Sequence, residues 1–178
     1  MAEKYPEDKV EAWCEDEARF GLQPIMRRVW ARRTQRPMAE VAIKYEWFWL
    51  YAAVHPASGK VFWLILPSLD ENCVQIFLDE FAVRYGGTRK RMVLVWDGAP
   101  AHRSGKLKVP ERITLISIPA YTPELNPSER VWTLVKEAVA NEASETLDEL
   151  EQEVCSRCQN ITSDEVSART NYHWWKSL

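Results

Sequence analysis

Cysteine is scarce in this sequence: Cys14, Cys73, Cys155 and Cys158 are the only four in 178 residues. That density excludes a disulfide-built scaffold and points to a reducing compartment. Cys155 and Cys158 form one CxxC, but a structural zinc would need two more ligands. His173 is within sequence reach and no second pair exists, so the two cysteines read as neighbours on one turn of an amphipathic helix. Glycine is also sparse, at six residues, and no Gly-rich phosphate loop or HExxH pattern is present. No apolar run approaches the roughly 18 residues that cross a bilayer. The opening MAEKYPEDKVEAW lacks the basic and apolar regions of a signal peptide. A cytoplasmic chain without membrane association is the expectation.

What is present is a core. Hydrophobic residues make up 46% of the chain and nine are tryptophan, which suits one domain spanning 1–178. The net charge of -3 argues weakly against nucleic acid, but the distribution is uneven. Arg27, Arg28, Arg32, Arg33, Arg36 and Lys44 cluster against a single acid, Glu40, whereas Arg157 is the only base between Glu137 and Glu165. The basic stretch, punctuated by Pro24 and Pro37, reads as an insertion or hairpin over 24–44. It is either a solvated loop or a contact for DNA or a partner subunit. Residues 142–178 read as an acidic helical region.

Residues 8–16 predict a buried strand ending in acids. Apolar runs at 47–54 and 61–66 flank HPASGK and predict a hairpin. Helical spacing over 70–85, with Asp70 as cap and Gly86-Gly87 as stop, predicts a helix. RMVLVW (91–96) and ITLISI (113–118) predict strands buried on both faces. Helices follow from about Ser128 through Val139 and over 146–159. This order suggests an α/β layer fold with a mixed sheet.

Three carboxylates stand out. Asp97 ends a buried strand, where α/β sheets gather functional groups, although a turn cap would look the same. Glu129 lies in the first turn of a helix opened by Asn126-Pro127, and equally fits a capping box. Glu15, Asp16 and Glu17 repel one another unless a cation is near. Alternation places Asp16 with Cys14 and Ala12, and Glu15 and Glu17 on the other face. Such carboxylates suit Mg²⁺, which favours oxygen ligands, and a pair of such ions suits phosphodiester chemistry.

Glu15-Asp16-Glu17 with Phe20-Gly21-Leu22, then VWDGAPAH, then PAYTPELNPSERVW, resembles the DDE transposases of the mariner-like superfamily. The bacterial insertion-sequence branch is the nearest likeness, over about residues 10–140. The resemblance implies an RNase H-like fold, a mixed five-stranded sheet flanked by helices. It implies Asp16, Asp97 and Glu129 as catalytic ligands of two Mg²⁺ or Mn²⁺ ions. The implied reaction is cleavage at transposon ends and strand transfer into target DNA. His102 is expected behind the metal ligands or on a phosphate, Asn126 as a support of the helix start, and Trp132 as packing. Family members carry helix-turn-helix modules ahead of this domain. None fits before the first strand, so a separate helix-turn-helix polypeptide and a homodimer are the expected partners. A catalytically silent remnant or accessory subunit, and an RNase H-like nuclease on another nucleic acid, are the alternatives.

Overall fold

The computed structural model describes residues 7–35, 37, 38, 44–87, 89–119, 122–173 and 175. Five strands, β1 (Lys9–Gly21), β2 (Trp47–His55), β3 (Lys60–Leu66), β4 (Lys90–Trp96) and β5 (Ile113–Ser117), form one sheet in the order β3-β2-β1-β4-β5. β1 runs antiparallel to β2 and parallel to β4, and β4 runs parallel to β5. The carboxyl ends of β4 and β5 therefore open on the same side as the middle of β1. Helices α1 (Glu71–Tyr85), α2 (Trp132–Lys136), α3 (Leu147–Asn160) and α4 (Ser163–Thr170) cover the faces.

Alternation along β1 divides the core. Trp13 joins Tyr51, Phe77 and Phe81 on the α1 side. Ala18 and Phe20 join Phe48, Leu50, Trp132 and Val154 on the α2–α3 side. Asp70 caps α1 as expected, its carboxylate accepting from the backbone N–H groups of Asn72 and Cys73, and the helix stops at Gly86.

Several expectations are sharpened or corrected. β1 does not end at Asp16: it continues to Gly21 because Glu17 through Gly21 pair with Tyr51 through Trp47 of β2. The acids thus lie mid-strand, and β4 leaves β1 at Cys14, just before them. The helix expected from Ser128 through Val139 is a 3-10 turn (Pro127–Arg130) followed by the five-residue α2. Val139 lies beyond it, where Ala140 forms an isolated bridge with Ile25. The C-terminal region holds a second helix, α4, whose Val166 packs on Val54, Val131 and Leu134. Its single buried valine is too faint a periodic signal to read from sequence. Of the two readings of 24–44, the described part carries no strand and fits an irregular insertion better than a hairpin; Arg36 and residues 39–43 lie outside the described residues.

Candidate active site

Asp16 projects from the middle of β1 toward α2. Its carboxylate accepts a 2.6 Å hydrogen bond from the indole N–H of Trp132 at Oδ2. Asp97 follows the last residue of β4 and turns back on itself. Its Oδ1 accepts from the Ala99 N–H and bonds His102 Nδ1, both at 2.8 Å. The side chain is half exposed, so Oδ2 is left to the cleft in front. Glu129 comes from the 3-10 turn at 127–130 and stands close enough to Asp16 for its charge to raise that carboxyl. It is not a capping-box residue, because the Asn126 N–H donates to the carbonyl of Pro123. The three acids line one cleft of about 430 Å³, together with Gly98, Arg103 and Pro123.

Burial and mutual repulsion disfavour full ionisation of the acids in the cleft. Burial and the neighbouring Glu129 push the Asp16 carboxyl up to about 8. Burial and Asp97 raise Glu129 as well. Asp97 moves the other way, held low by its bond to His102. Two carboxyls that cannot both ionise at neutral pH hold either a shared proton or a cation.

Behind Asp97, on the α1 side of the sheet, lies a buried charge cluster. His102 stacks flat on Trp96, with ring centroids 4.3 Å apart and planes 6° from parallel. Its Nε2 lies 2.8 Å from Glu17 Oε1 and 3.8 Å from Glu15 Oε2. Burial opposes the imidazolium, but the bonds to Asp97 and Glu17 outweigh it and push the ring up to about 11. The side chains of Glu15, Glu17 and His102 are between 1% and 4% exposed, so they form a closed internal ion cluster. Both Glu15 oxygens lack hydrogen-bond partners, and burial followed by the Glu17 charge raises that carboxyl well above its usual range.

The structure thus brings Asp16, Asp97 and Glu129 together and puts His102 directly behind one of them. With both ring nitrogens bonded internally, His102 presents no N–H to a phosphate in the cleft. Asn126, also buried, donates from Nδ2 to the Glu15 carbonyl at 2.8 Å and accepts from Ser128 at Oδ1. It locks the turn bearing Glu129 to the strand bearing Asp16. Arg27 is ion-paired with Glu137, and Lys44 donates to the Glu145 carbonyl, while Arg28, Arg32 and Arg33 are exposed. Cys155 and Cys158 lie on α3, and among the described residues they join no metal-binding cluster.

Two bonds of the site escape sequence reasoning. Trp132 is not packing alone: it orients Asp16, and its spacing of three from Glu129 on one turn is the available signal. Glu17 faces away from Asp16, as alternation predicts, and on that face it meets His102.

Residues 11–151 match the family model for the DDE superfamily endonuclease. The chain belongs to this family. An uncharacterized protein, y4pE/y4sA, of Sinorhizobium fredii (strain NBRC 101917 / NGR234) is 35% identical over 111 residues, 62% of this chain and 82% of that relative. Among solved structures, the Mos1 mariner paired end complex with Mn superposes with a TM-score of 0.70 at 13% identity, over 90% of this chain and 52% of the other. The Mos1 transposase paired-end complex with left transposon end gives 0.67 at 13% identity, over 90% and 51%. At these identities the likeness is one of fold, the RNase H-like fold of this DDE endonuclease. The chain spans about half the length of these solved structures.

Proposed function

We propose that this DDE endonuclease is the catalytic domain of a cut-and-paste DNA transposase of the mariner-like group, cleaving strands at transposon ends and joining them to target DNA. The observation that carries the reading is the convergence of Asp16, Asp97 and Glu129, from three separate elements, on one cleft.

The donor set fits divalent cations. All three groups are hard carboxylate oxygens, two of them pushed up by burial and by the neighbouring acid. This suits Mg²⁺ or Mn²⁺ and not a thiolate-loving metal. A pair of such ions, when bound, supplies activation of the attacking oxygen and charge stabilisation on the leaving one. The protein's part is positioning. Trp132 holds Asp16 by one oxygen, the Ala99 N–H and His102 hold Asp97 by one oxygen, and Asn126 holds the turn of Glu129 against β1. Each carboxylate is thereby presented with a fixed orientation, as ligand-bearing side chains require. Exposed Arg28, Arg32 and Arg33 supply charge for the DNA backbone, while a second copy of the chain and a helix-turn-helix module complete the assembly.

The test is nicking of supercoiled plasmid by the purified chain in Mg²⁺ or Mn²⁺, beside an RNA–DNA hybrid of the same sequence. Nicking of duplex DNA that vanishes in Asp97→Asn is expected. Cleavage of the hybrid alone would assign a ribonuclease instead, and no cleavage with any divalent ion would leave a silent remnant.

A further inference from the structure

We propose that Arg103 is the residue of the cleft that grips the scissile phosphate. The inference rests on the phosphodiester chemistry proposed above. Two divalent ions would offset the charge of three carboxylates, but they offer a phosphate no directed N–H donor, which a guanidinium in the cleft supplies. Arg103 is the one basic side chain among the described residues lining that cleft. It ends the 3-10 turn Pro100–Arg103 that follows Asp97, and its neighbour His102 is pinned by Asp97 and Glu17. The backbone that carries Arg103 is therefore fixed relative to the acids.

Its guanidinium lies against Gly98. A β-carbon at residue 98 would stand 2.7 Å from Nη2 and 3.3 Å from Nε, so the absent side chain makes the room that the guanidinium fills. Among the described residues Arg103 forms no ion pair, although Asp97 is near enough to feel its charge. An arginine beside acids ordinarily closes on one of them in a forked pair. Here the planar donor set is held on the cleft wall with its hydrogen-bonding capacity unspent. A phosphodiester, with two non-bridging oxygens, matches that fork better than it matches an ammonium.

The experiment compares the full-length wild type with Arg103→Ala, Arg103→Lys and Gly98→Ala. Three quantities are read: plasmid nicking in Mn²⁺, affinity for a 30-base-pair duplex across a salt series in Ca²⁺, and Mn²⁺ affinity by calorimetry. Arg103→Ala is expected to slow nicking ~10²-fold, in the range for removing one transition-state donor. The log–log salt slope should become shallower by about 0.9, the value for one phosphate. Arg103→Lys should keep the slope but recover the rate only in part. Gly98→Ala, which keeps the charge and displaces the fork, should slow nicking without changing the slope. Mn²⁺ affinity should stay at the wild-type value in all three. Wild-type nicking rates in Arg103→Ala and Gly98→Ala would overturn the inference and leave the endonuclease reading standing. Loss of Mn²⁺ affinity in step with nicking would also overturn it, since Arg103 would then act through the carboxylates. A wild type that neither binds nor nicks DNA overturns both. If Arg103→Ala fails to fold, the lysine and Gly98 variants decide the matter.

Discussion

His102 is one imidazole shared by three carboxylates, and its removal tests how much the cluster depends on it. In His102→Ala, Glu15 and Glu17 stay buried without a cation and Asp97 loses its orienting bond. Breaking a buried pair in this way costs about 3–5 kcal/mol, to be read from urea unfolding. A cost below about 1 kcal/mol would mean that the cluster relaxes into solvent. The pH dependence has a definite sign. His102 rises from 6.5 to about 11 on folding, so its contribution is complete below 6.5 and is lost as pH climbs toward 11. Asp16 rises from 3.8 to about 8, so its proton-linked contribution is complete below 3.8 and lost as pH rises through 8. Asp97, shifted down, acts oppositely and weakens the fold only in acid. The metal-free protein should therefore lose stability steadily between about pH 6 and 9, and a flat or rising urea midpoint would contradict this. On the proposed function, Mn²⁺ would displace the proton on Asp16, so its affinity should climb until about pH 8 with proton release on binding. Calorimetry in buffers of different ionisation heat measures that release.

Elements reach the site through a few tertiary bonds. The strand bearing Asp16 and the turn bearing Glu129 are 111 residues apart where Asn126 meets the Glu15 carbonyl. Asn126→Ala leaves that buried carbonyl unpaired and uncaps the turn, for a loss of about 1–3 kcal/mol. Nicking should fall further than stability does, because the turn that sets Glu129 beside Asp16 is no longer tied to β1. Equal activity per folded molecule would show that Glu129 needs no such tether. At the other end of the sheet, Gly59 closes the β2–β3 hairpin with φ of +66° and lies under α4. A β-carbon there would fall 1.8 Å from the Ser163 carbonyl oxygen. Gly59→Ala adds that overlap to left-handed strain of about 1–3 kcal/mol. A drop in thermal midpoint with loss of α4 protection in hydrogen exchange is expected.

Across the whole molecule, charge is divided between the basic stretch 27–44 and the acidic stretch that runs from Glu137 to Glu165. The two are not independent: Arg27 pairs with Glu137, the Asn141 N–H donates to the Ile25 carbonyl, and Lys44 reaches the Glu145 carbonyl. The acidic region thus anchors both ends of the basic segment and leaves Arg28, Arg32 and Arg33 outward. Replacing those three with alanine should flatten the salt dependence of DNA binding by about 0.9 for each phosphate no longer neutralised. Mn²⁺ affinity should not move, and an unchanged slope in a filter-binding salt series would remove this segment from the DNA interface.

Much of this is legible in the sequence because it depends on local pattern. Continuous apolar runs mark β4 and β5, although β5 is an edge strand with Thr114, Ile116 and Ser117 exposed and not one buried on both faces; cap and spacing mark α1, and alternation puts Asp16 and Glu17 on opposite faces of β1. Sequence by itself nominated Asp16, Asp97 and Glu129 through the motif resemblance, whereas local pattern alone fitted Asp97 equally to a turn cap and Glu129 to a capping box. Tertiary structure decided what holds them. The extension of β1 to Gly21 depends on pairing with β2, and the early end of α2 lets Val139 and Ala140 meet the segment at Ile25. The Trp132–Asp16, His102–Glu17 and Asn126–Glu15 bonds join residues 116, 85 and 111 positions apart. No periodicity spans such distances. Hydrogen bonds depend on direction and an approach of about 3 Å, and only the folded sheet brings these groups that close.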